Sequence, residues 1–225
     1  MSESERLSIV YANDEDVAVR ATGDFAVLAP DWQKAAFGTD GAFAPGEPWT
    51  LTSATVDFEA AGVKSGHVVS LRKPSSLFKG AGELLAVASA SGNKLVLRRI
   101  GARAGEGAPP APAAGASGVE FLIATLWPQI EEASFDLNRR FNIDPKVSGR
   151  SPDALYDRRD LRAACVLSVL VQRYAAETRG GEGDFPLKLQ TIQSELSEVL
   201  ARLAIRWNTA GESRATSMFS TRLVR

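Results

Sequence analysis

The sequence predicts an α+β protein in which a small α-helical bundle carries an inserted all-β barrel or sandwich domain. Three observations predict this fold: short Val-, Leu- and Thr-rich runs between glycine turns in the middle, helical periodicity in the last third, and a Gly/Ala/Pro segment between them. The resulting regions are 1–25 (an N-terminal strand and short helix belonging to the helical domain), 26–104 (the inserted β domain), 105–118 (the linker), 119–207 (the helical bundle) and 208–225 (a C-terminal docking tail).

The first region begins with a short apolar, strand-like piece around Leu7 to Tyr11. The run Asn13-Asp14-Glu15-Asp16 follows and precedes Val17. An Asn or Asp cap with acids in the first turn stabilises a helix N-terminus, because the acids face the positive end of the helix dipole. A short helix is therefore predicted from about residue 14.

The middle region contains four strand candidates with turn signals between them. The segment from Ala88 to Leu97 is typical of one hairpin, with its turn at Ser91-Gly92-Asn93. Evenly spaced short strands with glycine turns favour a small barrel or sandwich. The four candidates are 49–56, 67–72, 83–88 and 94–100.

The last third has three helical patterns. The first has Ile130, Leu137 and Phe141 on one face, with Pro128 in a first-turn position that tolerates proline. The second, from Arg159 to about Thr178, is apolar nearly all round, which is typical of a central, buried helix. The third, 187–207, carries a single apolar stripe.

Composition excludes several classes of protein. The 225 residues are 44% hydrophobic and 24% charged, as in an ordinary soluble protein, and the formal net charge of −1 argues against a general nucleic-acid binder. No apolar run has the length of a membrane helix, and the polar start is no secretory signal, so we expect folding in the cytosol. The single cysteine, Cys165, excludes an internal disulfide and is expected in the core.

No motif indicates catalysis. The one histidine, His67, stands beside a glycine at a strand start, and no nucleophile accompanies it. The glycine groups at 38–41 and 80–82 lack the residues of a phosphate-binding loop or dinucleotide fingerprint and are interpreted as turns. We therefore expect no enzyme, no cofactor and no metal site.

Candidate interaction residues fall in three places. The aromatic residues Trp32, Phe37 and Trp49 cluster in a loop-like stretch, where they either cap the β core or form a protein contact surface. Three arginines open the second long helix and form either a solvated face or inter-subunit salt bridges. A small apolar group ends the polar tail. The arginines are Arg158, Arg159 and Arg162. The apolar residues at the end of the tail are Met218, Phe219 and Leu223.

A family resemblance rests on the order of these elements. The opening Tyr11-Ala12-Asn13-Asp14-Glu15-Asp16-Val17 with Arg20, the helix around 129–138, the helix around 161–174 and the tail Phe219-Ser220-Thr221-Arg222-Leu223 resemble the head–tail adaptor (joining or connector) proteins of tailed bacteriophages. The resemblance covers about 7–25 and 119–225. The region 26–104 departs from the family's pattern and is interpreted as an inserted β domain.

The resemblance implies a structural virion protein of the neck, synthesised in the host cytoplasm. It implies a ring, expected to have twelve copies, that contacts the portal protein, neighbouring adaptor subunits and a stopper, tail-terminator or other neck protein. DNA would pass through the lumen without specific binding, and no membrane is involved. Two alternatives stay open: a stopper or tail-completion protein that shares the β module, and a cytosolic β-barrel protein-binding module.

Overall fold

A computed structural model describes residues 9–30, 32–78, 82–102, 114–144, 151, 154–155, 157–179 and 184–207. The chain divides into two compact units. Asn13–Trp127 form the first, here called the barrel unit. Met1–Ala12 and Pro128–Arg225 form the second, here called the helical unit.

The barrel unit is built on a closed, antiparallel barrel. Its strands follow each other around the barrel in the order β1-β2-β5-β4-β3-β6, and β6 closes it between β1 and β3. The strands are β1 (Lys34–Phe43), β2 (Thr50–Thr52), β3 (Val68–Lys73), β4 (Glu83–Ser91), β5 (Lys94–Arg99) and β6 (Val119–Ala124).

Apolar side chains fill the barrel interior. Alternate residues of each strand point inward, as the two-residue period of a strand requires, and Phe58 from the loop after β2 packs against Phe121 with ring centroids 5.4 Å apart. The barrel interior is therefore a packed hydrophobic core. Its fully buried members include Phe43, Leu51, Phe58, Leu71, Leu85, Leu95, Val119, Phe121 and Ile123.

Two short helices belong to the barrel unit: α1 (Asp14–Arg20) and α2 (Phe25–Leu28). Phe25 and Ala29 line a void of about 10 Å³ together with Leu122 and Leu84, so α2 lies over the outer face of β3, β4 and β6. This cover explains why Leu122, whose side chain points away from the barrel core, is nevertheless buried.

The helical unit contains α3 (Trp127–Phe141, whose first residue belongs to the barrel unit), α4 (Arg159–Thr178) and α5 (Phe185–Arg202). Helix α4 has the predicted bounds, and its residues 164–167, 169 and 170 are buried, so the prediction of a central helix is confirmed. Cys165 is fully buried, also as predicted. Helix α5 packs along α4, with the rings of Tyr174 and Phe185 6.0 Å apart.

The predicted fold class is wrong, although a barrel was one of the two β architectures expected. The chain is a β-rich closed barrel with five helices among its described residues, not a helical bundle with an inserted domain. Residues 119–124, assigned from the sequence to the bundle, form β6 and pair with β1 and β3. The run Val119-Glu120-Phe121-Leu122-Ile123-Ala124 is rich in residues that favour strands, and both of its faces are covered.

Two local predictions also need correction. Residues 25–28 form helix α2 where the β region was expected to begin. The stretch around Phe37, interpreted as a loop, is the ten-residue strand β1. Its glycines allow close approach of β6: a Cβ on Gly38 would lie 2.5 Å from the Phe121 ring, and one on Gly41 would lie 2.8 Å from the carbonyl oxygen of Val119. The hairpin of β4 and β5 is confirmed, with Gly92 and Asn93 between the strands.

Candidate functional site

The segment that carries the family resemblance, Tyr11 to Val17, has a structural role at each polar residue. In the helical unit, the Tyr11 N–H donates to Ser134 Oγ at 3.1 Å, and the Tyr11 hydroxyl donates to Asn138. In the barrel unit, Asn13 caps α1: its side chain accepts from the N–H of Asp16, and the Asp16 carboxylate accepts in return from the Asn13 N–H. This capping box confirms the predicted helix start.

Glu15 connects α1 to strand β5. Its carboxylate pairs with the Arg98 guanidinium and accepts the N–H of Gly101 at 3.2 Å. The Glu15 N–H donates to the carbonyl of Gly66 at 2.8 Å, in the loop before β3. Glu15 therefore connects α1 both to β5 with the turn that follows it and to the loop before β3. From the sequence, Glu15 was identified only as an acidic residue in the first turn of a helix.

Asp14 is the most deeply buried carboxyl at this end of the barrel unit. One oxygen, Oδ1, accepts the Leu126 N–H at 2.8 Å, and Oδ2 has no hydrogen-bond partner within the described residues. Burial raises the pKa of Asp14 to about 6, and the hydrogen bonds from Leu126 and Thr125 oppose that rise. Through its hydrogen bond with Leu126, the Asp14 carboxyl group joins α1 to the segment that follows β6.

His67 is part of the packed interior and not of a cleft. Its side chain is 8% exposed, and Nδ1 accepts the Lys64 N–H at 3.4 Å. Burial, together with the positive charge of Lys64, lowers the pKa of His67 below its ordinary value, so the imidazole is neutral at physiological pH. A neutral, buried ring in this position supports the turn before β3.

Asp40 of strand β1 accepts hydrogen bonds from the segment that follows β2. Its carboxylate accepts hydrogen bonds from Ser53 Oγ at 2.8 Å, the Ala54 N–H at 2.7 Å and both the N–H and hydroxyl of Thr55. Loss of hydration is the largest single contribution and raises the pKa of Asp40, but the four hydrogen bonds together outweigh it and hold that pKa below its usual value. Asp40 thus continues the β1–β2 contact beyond the last strand pair.

The three predicted aromatic residues separate into two groups. Trp32 is 82% exposed and Phe37 is 45% exposed, with Lys34 Nζ 5.7 Å from the Phe37 ring centroid. Trp49 is partly buried against the barrel core, and the Arg99 guanidinium lies 5.7 Å from the centre of its ring. The structure therefore brings Trp32 and Phe37 to the surface at the start of β1, and places Trp49 in a capping role.

Strand β1 has an open edge at the same place. Along 34–41 it pairs with β6 on one side, but it pairs with β2 only through Ala42 and Phe43. Among the described residues, no other strand lies beside 34–39. The open edge is defined here as residues 34–39 of β1, and Phe37 and Thr39 are the exposed side chains at its centre. The residue types of β1 gave no signal for this edge, because only the register with β2 and β6 reveals it.

The predicted arginines lie at the start of α4 and are exposed. Arg159 pairs with Asp157 at 2.7 Å, an exposed ion pair of the kind that contributes little to stability. Burial raises the pKa of Tyr11 to about 12, and the charge of Arg158 acts in the opposite direction. Met218, Phe219 and Leu223 lie outside the described residues.

The described residues lack two kinds of feature. They contain no group of three or more His, Cys, Asp or Glu side chains placed to hold a metal ion. None of their helices combines the length and apolar character needed to cross a membrane.

Comparison with known proteins gives no relative: no family model, no curated protein and no solved structure matches the chain. The candidate site of the barrel unit is the open edge of β1 with the exposed side chains of Trp32 and Phe37.

Proposed function

We propose that this chain is a structural virion protein of a tailed bacteriophage, a head–tail adaptor that forms a ring between the portal and the next neck or tail component. The observation that carries the proposal is the open edge of β1 with its exposed aromatic residues, Trp32 and Phe37. Unpaired strand edges and exposed aromatic side chains are the features with which proteins bind other proteins.

The roles of the polar residues support an assembly protein over an enzyme. Asp14, Glu15 and Asp40 each accept hydrogen bonds that hold the barrel unit together, and His67 is buried and neutral. Catalysis requires polar groups that converge on a reacting atom, in a pocket that admits a substrate. The barrel interior is filled by side chains. A surface cleft of about 530 Å³ lies between α2 and the start of β4, and Glu83, the one ionisable residue among its described lining residues, pairs with Arg99.

The phage assignment rests on the resemblance of 7–25 and 119–225 to adaptor proteins. Because residues 119–124 form β6 of the barrel, this resemblance concerns the segment at α1 and the order of α3, α4 and α5. The proposed partners are the portal protein, neighbouring copies of the chain and a stopper, tail-terminator or other neck protein. The net charge of −1 suits a ring through which DNA passes without specific binding.

The closed barrel favours a second candidate, a stopper or tail-completion protein. Such a protein was expected to share the β module, and the barrel forms a complete compact unit here. The two candidates differ in position: an adaptor contacts the portal, whereas a stopper contacts the adaptor ring.

The test is quantitative mass spectrometry of purified particles from the source organism. We expect this chain in the particles at the copy number of the portal, and cross-linking to portal peptides would then support the adaptor over the stopper. Absence of the chain from particles would contradict both neck assignments and favour a cytosolic β-barrel protein-binding module.

A further inference from the structure

We propose that helix α3 is the contact surface of a two-fold dimer, in which the α3 helices of two copies of this chain pack antiparallel with Phe135 at the centre. The inference goes beyond the proposed function and does not depend on it. It concerns the helical unit, whereas the open edge of β1 belongs to the barrel unit.

Helix α3 carries one exposed stripe on the side opposite its buried residues. Residues that follow each other at alternating steps of four and three lie along one side of a helix, and a second helix packs along such a stripe. The stripe consists of Pro128, Glu132, Phe135 and Arg139, all of which are exposed. The buried residues of α3 are Ile130, Ala133, Ser134 and Leu137. The stripe therefore has the spacing of a helix–helix contact, and none of the described elements covers it.

Phe135 is the apolar centre of this stripe. Its side chain is 57% exposed, more than that of any other described phenylalanine. The Arg139 guanidinium lies 5.8 Å from the centre of the Phe135 ring. Aromatic residues and arginine are the residue types enriched in protein interfaces. Two copies that meet at this point would bury the two Phe135 rings against each other.

The charges of the stripe become complementary when the helix direction is reversed. Glu132 precedes Phe135 by three residues, and Arg139 follows it by four. A two-fold axis beside Phe135 therefore places each Glu132 opposite Arg139 of the other copy. Parallel packing would place like charges opposite each other at both positions. Charge complementarity thus identifies a second, antiparallel copy as the occupant.

The position of Glu132 has no explanation within a single copy. The helix dipole favours acidic residues in the first turn, but the first turn of α3 has none, and Glu132 lies in the second. Neither Glu132 nor Arg139 forms an ion pair with another of the described residues. Both charges are therefore available to a second molecule.

The size of the contact predicts a weak dimer. Helix α3 has 15 residues. At 1.5 Å per residue its length is about 22 Å, so one pair of such helices forms an interface at the small end of the range for specific complexes. The ion pairs fix the direction of packing more than they add affinity, and salt weakens them. A two-fold contact joins the same surface on both copies and closes the assembly at two, so we expect a monomer–dimer equilibrium that shifts with protein concentration and with salt.

The test is analytical ultracentrifugation of the full-length chain at several concentrations. We expect a dimer that dissociates on dilution. Glu132→Arg and Arg139→Glu each bring like charges together, so each is expected to raise the dimer dissociation constant about tenfold or more. An equimolar mixture of the two variants should regain the dimer, because every Glu132–Arg139 contact then joins opposite charges again.

Matched variants control for the surface involved. Glu198→Arg and Arg202→Glu make the same charge changes at exposed positions of α5, and they are expected to leave the dissociation constant unchanged. Phe135→Arg is expected to abolish the dimer, whereas Phe37→Arg, at the open edge of β1, is expected to leave it intact. Thermal melts check that every variant retains its fold.

Several results would overturn the inference. A chain that stays monomeric at every concentration would refute it, and so would an assembly that survives Phe135→Arg. Loss of the dimer in Phe37→Arg would assign the contact to the open edge of β1. Failure of the mixed variants to regain the dimer would contradict the pairing of Glu132 with Arg139, and equal losses in the α5 variants would indicate non-specific attraction. The abundance of the chain in particles does not enter this test, so the dimer and the neck function can fail separately.

Discussion

Asp14 has two carboxyl oxygens in unequal surroundings. Oδ1 accepts a hydrogen bond from Leu126, while Oδ2 is buried without a partner in the described part of the chain. The ionised form therefore loses more hydration than its hydrogen bonds restore, which is why the pKa rises from 3.8 to about 6. The sequence identified Asp14 only as an acid at a helix start, because the burial of its side chain depends on residues 112 positions away.

The raised pKa of Asp14 predicts a pH-dependent stability. Above pH 6 the folded protein holds a buried charge that the unfolded chain exposes to water, so the free energy of unfolding is expected to rise as pH falls from about 6 to 4. The gain is about 3 kcal/mol for a shift of this size. Asp14→Asn keeps an acceptor for Leu126 and should remove this gain, as measured by urea denaturation between pH 4 and 8.

Asp40→Asn is a control variant, because the contribution of Asp40 to the free energy of unfolding has the opposite dependence on pH. The pKa of Asp40 is lowered, so its hydrogen bonds stabilise the fold at neutral pH and are lost as pH falls through that lowered pKa. We expect Asp40→Asn to destabilise the protein at pH 7, with the difference disappearing in acid. An Asp14→Asn variant with the same pH profile as the wild type would contradict the assignment of the raised pKa.

At the scale of elements, periodicity predicted the helices better than the strands. The nearly continuous apolar run of α4 fixed both its bounds and its burial, because few other arrangements can hide such a surface. Strand β1 gave no comparable signal. It contains Ala, Gly and Asp, which are rare in strands, and its glycines match positions on β6 that lie 78 or more residues further along the chain. Of the candidate site, the aromatic residues were therefore identified from the sequence, but their exposure was left open between two interpretations, and the open edge beside them was not predicted.

The glycines of β1 allow a direct test of this packing. Gly41→Ala would place its Cβ 2.8 Å from the carbonyl oxygen of Val119 and 2.9 Å from the Leu51 side chain, so β1 and β6 must move apart. Overpacking of this kind costs roughly 1–3 kcal/mol. Gly46→Ala is the matched control, because no atom lies within 4 Å of its added Cβ. Equal unfolding free energies for both variants would contradict the pairing of β1 with β6.

At the scale of the whole molecule, the barrel crosses the boundary that composition suggested. The Gly/Ala/Pro segment at 105–118 resembles a domain linker, yet its two sides contribute strands to one barrel. A Gly/Ala/Pro-rich composition indicates that a segment cannot form a hydrophobic core. It does not indicate whether the strands before and after that segment pair with each other. Four predicted strands followed by this segment have the appearance of a complete domain, so the residues of β6 were assigned to the helical bundle that follows.

The last prediction distinguishes the observed fold from an inserted domain that ends near residue 104. Without β6, the barrel loses four large buried side chains, Val119, Phe121, Leu122 and Ile123, each worth about 1.5–3 kcal/mol. Their sum, roughly 6–12 kcal/mol, is comparable to the whole stability of a domain. We therefore expect a fragment of residues 13–127 to melt cooperatively, as followed by circular dichroism, and a fragment of residues 13–104 to remain unfolded. A fragment of residues 13–118 keeps the linker but lacks β6, and it should also fail to fold; cooperative melting of either shorter fragment would mean that β6 is dispensable and that the barrel closes without it.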